Sequence, residues 1–219
     1  SSTYELRPDS ASKEFVDFVI KTAEQQKVHK PYLWRLAAGY LLLVQKKYAA
    51  ADMQLNTALS LIKNDSLVSD QVRSLRLISK IQQQTIPNED FETVVIPDLQ
   101  YLDEHINQLR NGYVLEWALK RLSEKYYKAG IIDKAHLLNT EYDPLFYFDE
   151  KKITKTIQFI TRPDKSPFDQ FLLRKYTHSL QNLYAQKAVA LLYEFKLKEA
   201  ITAWEYAPDQ ASEQMEGDP

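Results

Sequence analysis

The four histidines have the widest chemical range in this 219-residue chain, because imidazole acts as a general base or a metal ligand near neutral pH. They are His29, His105, His136 and His178. No two of them have the i, i+4 spacing of a helical metal site, and no His-Glu-x-x-His sequence occurs. We therefore expect no metal and no cofactor. His136 follows Ala135 in an apolar stripe, so we expect it to be a partly buried structural residue.

Carboxylates are the second group of candidates, and six of them lie between Thr85 and Leu109 without any Lys or Arg. They are Glu89, Asp90, Glu92, Asp98, Asp103 and Glu104. Adjacent acids such as Asp103 and Glu104 diverge around a helix, so they cannot flank a glycosidic bond. The alternative is a metal site made of Asp98, Glu104 and His105 with a distant histidine.

The sequence also lacks cysteine, a Gly-rich phosphate loop and a Gly-x-Ser-x-Gly elbow. We expect no enzyme; the alternative is an enzyme completed by groups outside these residues.

Composition and charge exclude several classes of partner. An apolar fraction of 44% is typical of a globular chain, and only four glycines disfavour a fold rich in tight β-hairpins. The net charge of −2 attracts neither nucleic acid nor anionic lipid, and no apolar run could span a membrane. The basic stretches Lys120–Lys134 and Lys151–Lys175 contain interleaved aromatics, a pattern that also occurs in single-strand binders. Because nearby acids offset them, we expect solvated faces or attraction to the acidic segment, and no nucleic acid.

Apolar residues at spacings of three and four predict roughly ten helices, and thus an all-α fold. We expect a single domain over residues 1–219 with a weak subdivision near 85–111. The predicted helices are Ser12–Lys27, Pro31–Lys47, Ala49–Lys63, Leu67–Gln84, one from Asn88 that bends at Pro97 and restarts at Asp98, Tyr113–Lys128 after a separation at Gly112 or nearby, Ile131–Thr140, Glu150–Ile160, Pro167–Phe195 with a break near Thr177–Ser179, and Leu197–Ala207.

A recurring spacing of small residues links three of these helix pairs. Two sets have spacings of twelve, four and three residues: Gly39, Ala51, Leu55 and Ala58, and Ala188, Ala200, Trp204 and Ala207. A third set, Ser123 and Ala135, has only the first spacing, because Asn139 and Tyr142 depart from the residue types at the next two positions. Small residues on facing antiparallel helices let the two backbones approach, while the large apolar residue fills the adjacent gap. The spacing therefore predicts αα-hairpins.

At these residues the chain resembles the tetratricopeptide repeat family, and Tyr48, Leu122, Tyr126 and Gly130 match further positions of that family. The repeat starts lie 84 and 65 residues apart instead of about 34, so divergent helices must intervene. The resemblance implies a stack of antiparallel helical hairpins, an α-solenoid, that binds a protein or peptide segment. A nonrepeating helical bundle is the alternative.

More distantly, the chain is similar to helical proteins exported by gut-type bacteria, through "SPFDQFLL", "LKEAITAWE" and the Asp-Pro end. That resemblance implies no activity. Because the sequence opens on Ser1 and closes on a polar stub, we expect a fragment of a longer, exported protein. The expected location is periplasmic, cell-surface or secreted, with the cytoplasm as the alternative.

In the tetratricopeptide family, the first helix of each hairpin lines a concave groove. The matching positions here are Leu33, Leu36, Tyr40 and Leu43; Trp117, Lys120, Glu124 and Tyr127; and Asn182, Ala185, Val189 and Tyr193. The first set is apolar enough that we expect it under another helix, Ser12–Lys27. The predicted partner-binding residues are Trp117, Lys120, Glu124, Tyr127, Asn182 and Tyr193, since aromatics flanked by charges are typical of interface hot spots.

Three alternatives to this site remain open. Trp117 could instead be an ordinary core residue. The aromatic loop Tyr142–Phe148 is either an anchor on the core, which we expect, or a second exposed surface. A third interpretation is a carbohydrate- or nutrient-handling surface protein that holds a sugar through aromatic side chains.

Overall fold

The computed structural model describes residues 13–25, 28–84, 87–138, 148–176 and 180–207. These ranges contain eleven helices and no strand, which confirms the all-α fold. The helices are α1 (Lys13–Ala23), α2 (Pro31–Val44), α3 (Tyr48–Leu61), α4 (Ser66–Gln83), α5 (Glu89–Glu104), α6 (Leu109–Lys128), α7 (Ile132–Leu138), α8 (Glu150–Thr161), α9 (Pro167–Lys175), α10 (Leu180–Tyr193) and α11 (Leu197–Trp204).

Side-chain caps start several helices where the sequence predicted them. Asp65, Asn88 and Asp149 each accept a hydrogen bond from a backbone N–H in the first turn of α4, α5 and α8. At α9, Ser166 and Asp169 form a capping box in which each side chain accepts from the other residue's backbone N–H.

The predicted restart of the helix at Pro97–Asp98 is wrong, because α5 runs through the proline, whereas the separation predicted at or near Gly112 lies slightly earlier, between Glu104 and Leu109. Proline removes one backbone donor and disturbs the helical bonds around the preceding turn. In α5, the Lys80 ammonium of α4 donates to the Val94 carbonyl at 3.0 Å, which supports the backbone beside the proline. In α6, Gly112 does not have the left-handed backbone that ends a helix, and a Cβ there would meet Ile106 at an ordinary 3.8 Å. Its N–H donates to the Gln108 carbonyl.

The chain divides after Arg121 into two compact units, and α6 contributes residues to both. The division lies C-terminal to the 85–111 segment, where the sequence predicted a weak subdivision. In the first unit, α2 and α3 form a hairpin, α1 packs against α2, and α4 packs against α3 and, less extensively, α2. Helix α5 packs against α4. The apolar cluster beneath α4 contains Leu55, Ala58, Val68 and Val72.

In the second unit, α7 packs against α8 and α9, α8 packs against α10, and α10 forms a hairpin with α11. Ile153 and Ile157 of α8 share a core cluster with Leu183 and Ala190 of α10. The contact between α10 and α11 is built from Ala188, Leu191, Ala200 and Ala203.

The turns that follow α2, α6 and α10 have one geometry. Each contains a residue with a left-handed backbone: Lys46 (φ 60°), Gly130 (φ 76°) and Phe195 (φ 59°). The N–H of the next residue bonds the carbonyl five residues before it, at 2.9 Å in all three turns. This is the Schellman arrangement of a helix C-terminus. Gly39, Ser123 and Ala188 all lie seven residues before the left-handed residue. The recurring spacing of the sequence therefore has a structural counterpart.

Close helix contact, which the spacing predicted, is confirmed in the first hairpin. Ala51, Leu55 and Ala58 are fully buried. A Cβ atom added to Gly39 would lie 2.6 Å from Cγ of Leu55, so only glycine fits there without a shift of that side chain. In the α6–α7 pair, the Ser123 hydroxyl donates to the Ala135 carbonyl at 2.9 Å.

Two packing predictions are wrong. Trp204, expected to fill the gap beside Ala200, is 54% exposed, and Ala203 takes the buried position. Leu33 and Tyr40 were expected beneath α1 and are exposed. Helix α1 packs instead on the adjacent side of α2, where its cluster includes Trp34, Ala37, Ala38 and Leu41. From the same predicted set, Leu43 does share a cluster with Ile20 of α1 as well as with Leu75 and Ile78 of α4, and Leu36 packs in the cluster between α3 and α4.

Candidate functional site

The predicted groove residues of α6 have mixed exposure. In the first unit, Trp117 is half-buried, so it is neither a fully buried core residue nor fully open, and Lys120 is exposed. In the second unit, Glu124 is half-buried and Tyr127 is exposed. Their spacing along the helix places these side chains along one stripe of α6.

Asn182 and Tyr193, the predicted site residues of α10, are both exposed, as is Val189 between them. The Tyr193 ring packs edge-on against Phe148, with 5.7 Å between the ring centroids. Phe148 is the only residue of the aromatic loop Tyr142–Phe148 within the described ranges, and it is itself exposed.

A broad apolar surface of the second unit lies on its last hairpin, and we call it the α10–α11 face. Its residues are Val189, Leu192, Tyr193, Phe195, Leu197, Ile201 and Trp204, with exposed fractions from 41% to 95%. On α11, the i, i+4, i+7 spacing places three of these side chains in one stripe. Leu192 follows Leu191 and Trp204 follows Ala203, so on each helix the exposed side chains begin about 100° around the axis from a residue that joins α10 to α11, on the same side of the hairpin.

The α10–α11 face is large for a protein surface. If a large apolar side chain exposes about 200 Å² when fully open, the seven residues expose roughly 800 Å² of side chain. The largest apolar patch on a typical monomer is about 300–600 Å² and is often functional. Exposure on this scale indicates a surface that another group of atoms covers.

Phe195 combines two unfavourable features at the tip of this hairpin. Its side chain is 95% exposed, and its φ of 59° lies in the left-handed region that costs a non-glycine residue about 1–2 kcal/mol. The equivalent position after α6 is Gly130, which adopts the same geometry without that cost. Lys46 adopts the same geometry after α2, so the feature that distinguishes Phe195 is the nearly complete exposure of its aromatic ring.

A buried charged centre joins α4 to α5. The Asp98 carboxylate is fully buried and accepts from Arg76 Nε at 2.8 Å, Arg76 Nη2 at 2.9 Å and Arg73 Nη1 at 3.2 Å. The Lys80 ammonium lies 3.4 Å from it. Burial lowers the pKa of Lys80, and the attraction of Asp98 opposes part of that effect. A carboxylate that neutralises three cations is not available to a metal ion.

Tyr101 extends this centre toward the rest of α4. Its hydroxyl donates to Asp70 at 2.7 Å, and the Arg73 guanidinium lies 4.2 Å from the centre of its ring. Burial and the bond to Asp70 raise the pKa of Tyr101 to about 12. His105 stacks on Tyr101 and its Nδ1 contacts the Tyr101 carbonyl, so this histidine is part of the end of α5. The geometry does not support the alternative metal set of Asp98, Glu104 and His105.

The sequence missed this centre, although it contains a signal for it. Arg73, Arg76 and Lys80 recur at spacings of three and four, which puts three cations on one side of α4. An acid on a neighbouring helix could pair with them, and the acidic segment 85–109 follows directly. That segment was expected to attract the basic stretches Lys120–Lys134 or Lys151–Lys175; at Asp98 it binds cations of α4 instead.

A second buried carboxylate, Asp169, holds the start of α9. Burial alone would raise its pKa, but Lys134 at 3.2 Å, the Ser166 backbone N–H and the Arg162 guanidinium outweigh that effect. The pKa of Asp169 therefore lies below its ordinary value. These contacts are those of a structural ion cluster between α7, α9 and the turn before α9.

His136 is buried, as expected for a structural histidine, and its Nε2 lies 3.3 Å from the Tyr176 hydroxyl. Across the described ranges, no three His, Asp or Glu side chains come together in a way that could hold a metal ion. The interleaved phenylalanines of the basic stretch, Phe159, Phe168 and Phe171, are buried, so their rings are not open for stacking on bases.

None of the described helices is both long and apolar enough to cross a membrane. No protein-family model, curated protein or solved structure matches this chain.

Proposed function

We propose that this chain is a non-catalytic interaction module, built from helical hairpins of the tetratricopeptide kind, that binds a segment of another protein. The α10–α11 face is the observation that carries the proposal. It offers aromatic and aliphatic side chains on a helical scaffold, the composition found at the centres of protein interfaces. Tyr193, one of the residues predicted from sequence, belongs to this face.

Other predicted residues are exposed as well: Tyr127 and Asn182 in the second unit and, separately, Lys120 in the first unit. Charged and polar groups in an interface orient a partner more than they hold it. The buried charged groups at Asp98 and Asp169 have structural partners on neighbouring helices, which supports a module that works by binding.

A peptide-display selection tests this function. A library of random peptides is panned against the intact chain and counter-selected with a variant that carries Leu197→Glu and Ile201→Glu. We expect enriched peptides whose Kd rises at least about tenfold in the variant, because charges would be buried in an apolar contact. A selection in which no enriched peptide distinguishes the two proteins contradicts the function.

A matched control is available on the first unit. Met53 and Val94 are also exposed apolar residues, and Met53→Glu with Val94→Glu adds the same charge away from the α10–α11 face. Selected peptides should bind this control variant as they bind the unchanged chain. Far-UV circular dichroism and the melting temperature verify that both variants fold.

A further inference from the structure

We propose that the partner on the α10–α11 face is an amphipathic α-helix of a second protein, which packs there as α4 packs on the α2–α3 hairpin. This inference rests on the proposed function and names the chemistry of the bound segment. It follows from the equivalence of two hairpins within the same chain.

The equivalence is exact in sequence number. Adding 149 to the number of a residue in the first hairpin gives its counterpart in the last: Gly39 corresponds to Ala188, Lys46 to Phe195, and Ala51 to Ala200. Both hairpins have the left-handed residue and the 2.9 Å turn bond at the same place. A position that is covered in one hairpin can therefore be compared directly with its counterpart in the other.

In the first hairpin, α4 covers the side that the last hairpin leaves open. Leu43 and Tyr48 pack in one cluster with Leu75 and Ile78 of α4. Leu55 packs with Val68 and Val72 of α4.

The counterparts of these covered positions belong to the α10–α11 face. Leu192 corresponds to Leu43, Leu197 to Tyr48, and Trp204 to Leu55. All three are at least half exposed, and no described helix packs on them as α4 packs on the first hairpin. The last hairpin therefore has the side chains for this contact and lacks the helix.

The size of the open surface also fits a protein partner. Roughly 800 Å² is what one side of a standard protein interface buries. The sequence from Pro208 to Pro219, "PDQASEQMEGDP", has a single large apolar residue, Met215, and so lacks the stripe that would cover the face. A helix with apolar residues at spacings of three and four, as at Val68, Val72 and Leu75 of α4, has such an apolar stripe.

Two differences between the hairpins define the partner further. Trp204 is larger than Leu55, so the bound helix needs small residues opposite the indole ring. Ile201 replaces Asp52, which attracts Lys80 of α4. The bound helix should therefore carry an apolar residue where α4 carries that lysine, because an ammonium group has no counter-charge there.

A synthetic peptide with the sequence of residues 66–83, the whole of α4, and with Lys80→Leu and Val68→Ala to meet these two requirements is a defined probe. Fluorescence anisotropy measures its binding to the intact chain, to Leu197→Glu with Ile201→Glu, and to the control Met53→Glu with Val94→Glu. We expect a Kd at least about tenfold higher for the face variant than for the other two proteins, with a gain of helical signal on binding. The same peptide with Val72→Asp and Leu75→Asp should bind none of them.

Other outcomes overturn the inference and separate it from the proposed function. Equal binding of the peptide to all three proteins, or no binding to any of them, would show that the partner is not an amphipathic helix. A mass that doubles with concentration in sedimentation velocity, and not in the face variant, would assign the face to a second copy of this chain. If the display selection yields extended peptides without an apolar stripe, the interaction function stands and the helical partner is wrong. If neither the selected peptides nor the helix peptide distinguishes the face variant from the unchanged chain, the proposed function and the helical partner are both wrong.

Discussion

Gly39 shows how one missing side chain sets the distance between two helices. The Leu55 side chain occupies the space where a Cβ on residue 39 would lie. Because Leu55 itself is fully buried, it cannot move away without disturbing its packed neighbours. The same residue type at position 112 is in a different situation. A Cβ there would meet only Ile106, at an ordinary 3.8 Å. The two glycines are thus a matched pair within one unit.

Gly39→Ala should lower the free energy of unfolding of the first unit by about 1 kcal/mol, because overpacking outweighs the gain in helix propensity. Gly112→Ala should raise it by about 0.5–1 kcal/mol, since only the propensity changes. Urea unfolding followed by circular dichroism measures both. Equal shifts of the same sign in the two variants would contradict the close contact at Gly39.

Asp98 is a residue whose charge matters more than its shape. Asp98→Asn keeps the volume of the side chain but leaves Arg73, Arg76 and Lys80 close together without their shared anion. We expect a loss of about 3 kcal/mol in the free energy of unfolding, the cost typical of breaking a buried ion pair. The comparison is Asp90→Asn in the exposed first turn of α5, which should cost at most about 0.5–1 kcal/mol.

Urea unfolding measures both aspartate variants, and hydrogen exchange of α5 locates the effect. Faster exchange along α5 in Asp98→Asn is expected, because the charged centre and the Lys80 bond to Val94 support this helix through Pro97. An Asp98→Asn variant as stable as Asp90→Asn would show that the three cations do not need the carboxylate.

At the scale of elements, the three Schellman turns differ in the residue that adopts the left-handed backbone. Phe195→Gly and Lys46→Gly each remove the steric cost of a side chain at positive φ, so each should raise the free energy of unfolding by about 1 kcal/mol. Only Phe195→Gly also removes a ring of the α10–α11 face. It should therefore weaken binding of the selected peptides, whereas Lys46→Gly should leave binding unchanged.

Thermal unfolding and peptide anisotropy on these two variants separate stability from binding. A Phe195→Gly variant that is more stable than the unchanged chain and binds the selected peptides equally well would show that the aromatic ring does not contribute to binding. A loss of binding in Lys46→Gly would show that the change acts through the fold and not through the surface.

The helices and their starts were largely predictable from sequence, because caps and apolar spacing are local signals. Asp149 and Ser166 cap α8 and α9 directly before their predicted first residues, Glu150 and Pro167. Pro97 was not predictable in this way, since the group that supports the helix there, Lys80, comes from another element. Local propensity gives way to such tertiary contacts.

The candidate site was predictable only in part. The tetratricopeptide resemblance pointed to the first helix of each hairpin, and so to Tyr193 on α10. It gave no reason to choose Leu197, Ile201 and Trp204 on the second helix, and Trp204 was expected to be buried. The spacing identifies which side chains could meet a neighbour, but whether a neighbouring helix is present is a property of the three-dimensional structure.

At the scale of the molecule, each unit is explained by helices that pack on helices through small residues and apolar stripes. Charged side chains that are buried join neighbouring helices, as at Asp98 and Asp169. The α10–α11 face is the part of this pattern that is incomplete within the described ranges. This face should therefore be open in the free chain and close on a partner.

Acrylamide quenching of Trp204 tests that claim most directly. The measurement uses a chain with Trp34→Phe and Trp117→Phe, which leaves Trp204 as the only indole. We predict red-shifted emission and strong quenching for the free monomer, and a blue shift with weaker quenching when a selected peptide is added. Blue-shifted emission that resists quenching in the free monomer would contradict the account, because the chain itself would then cover the face.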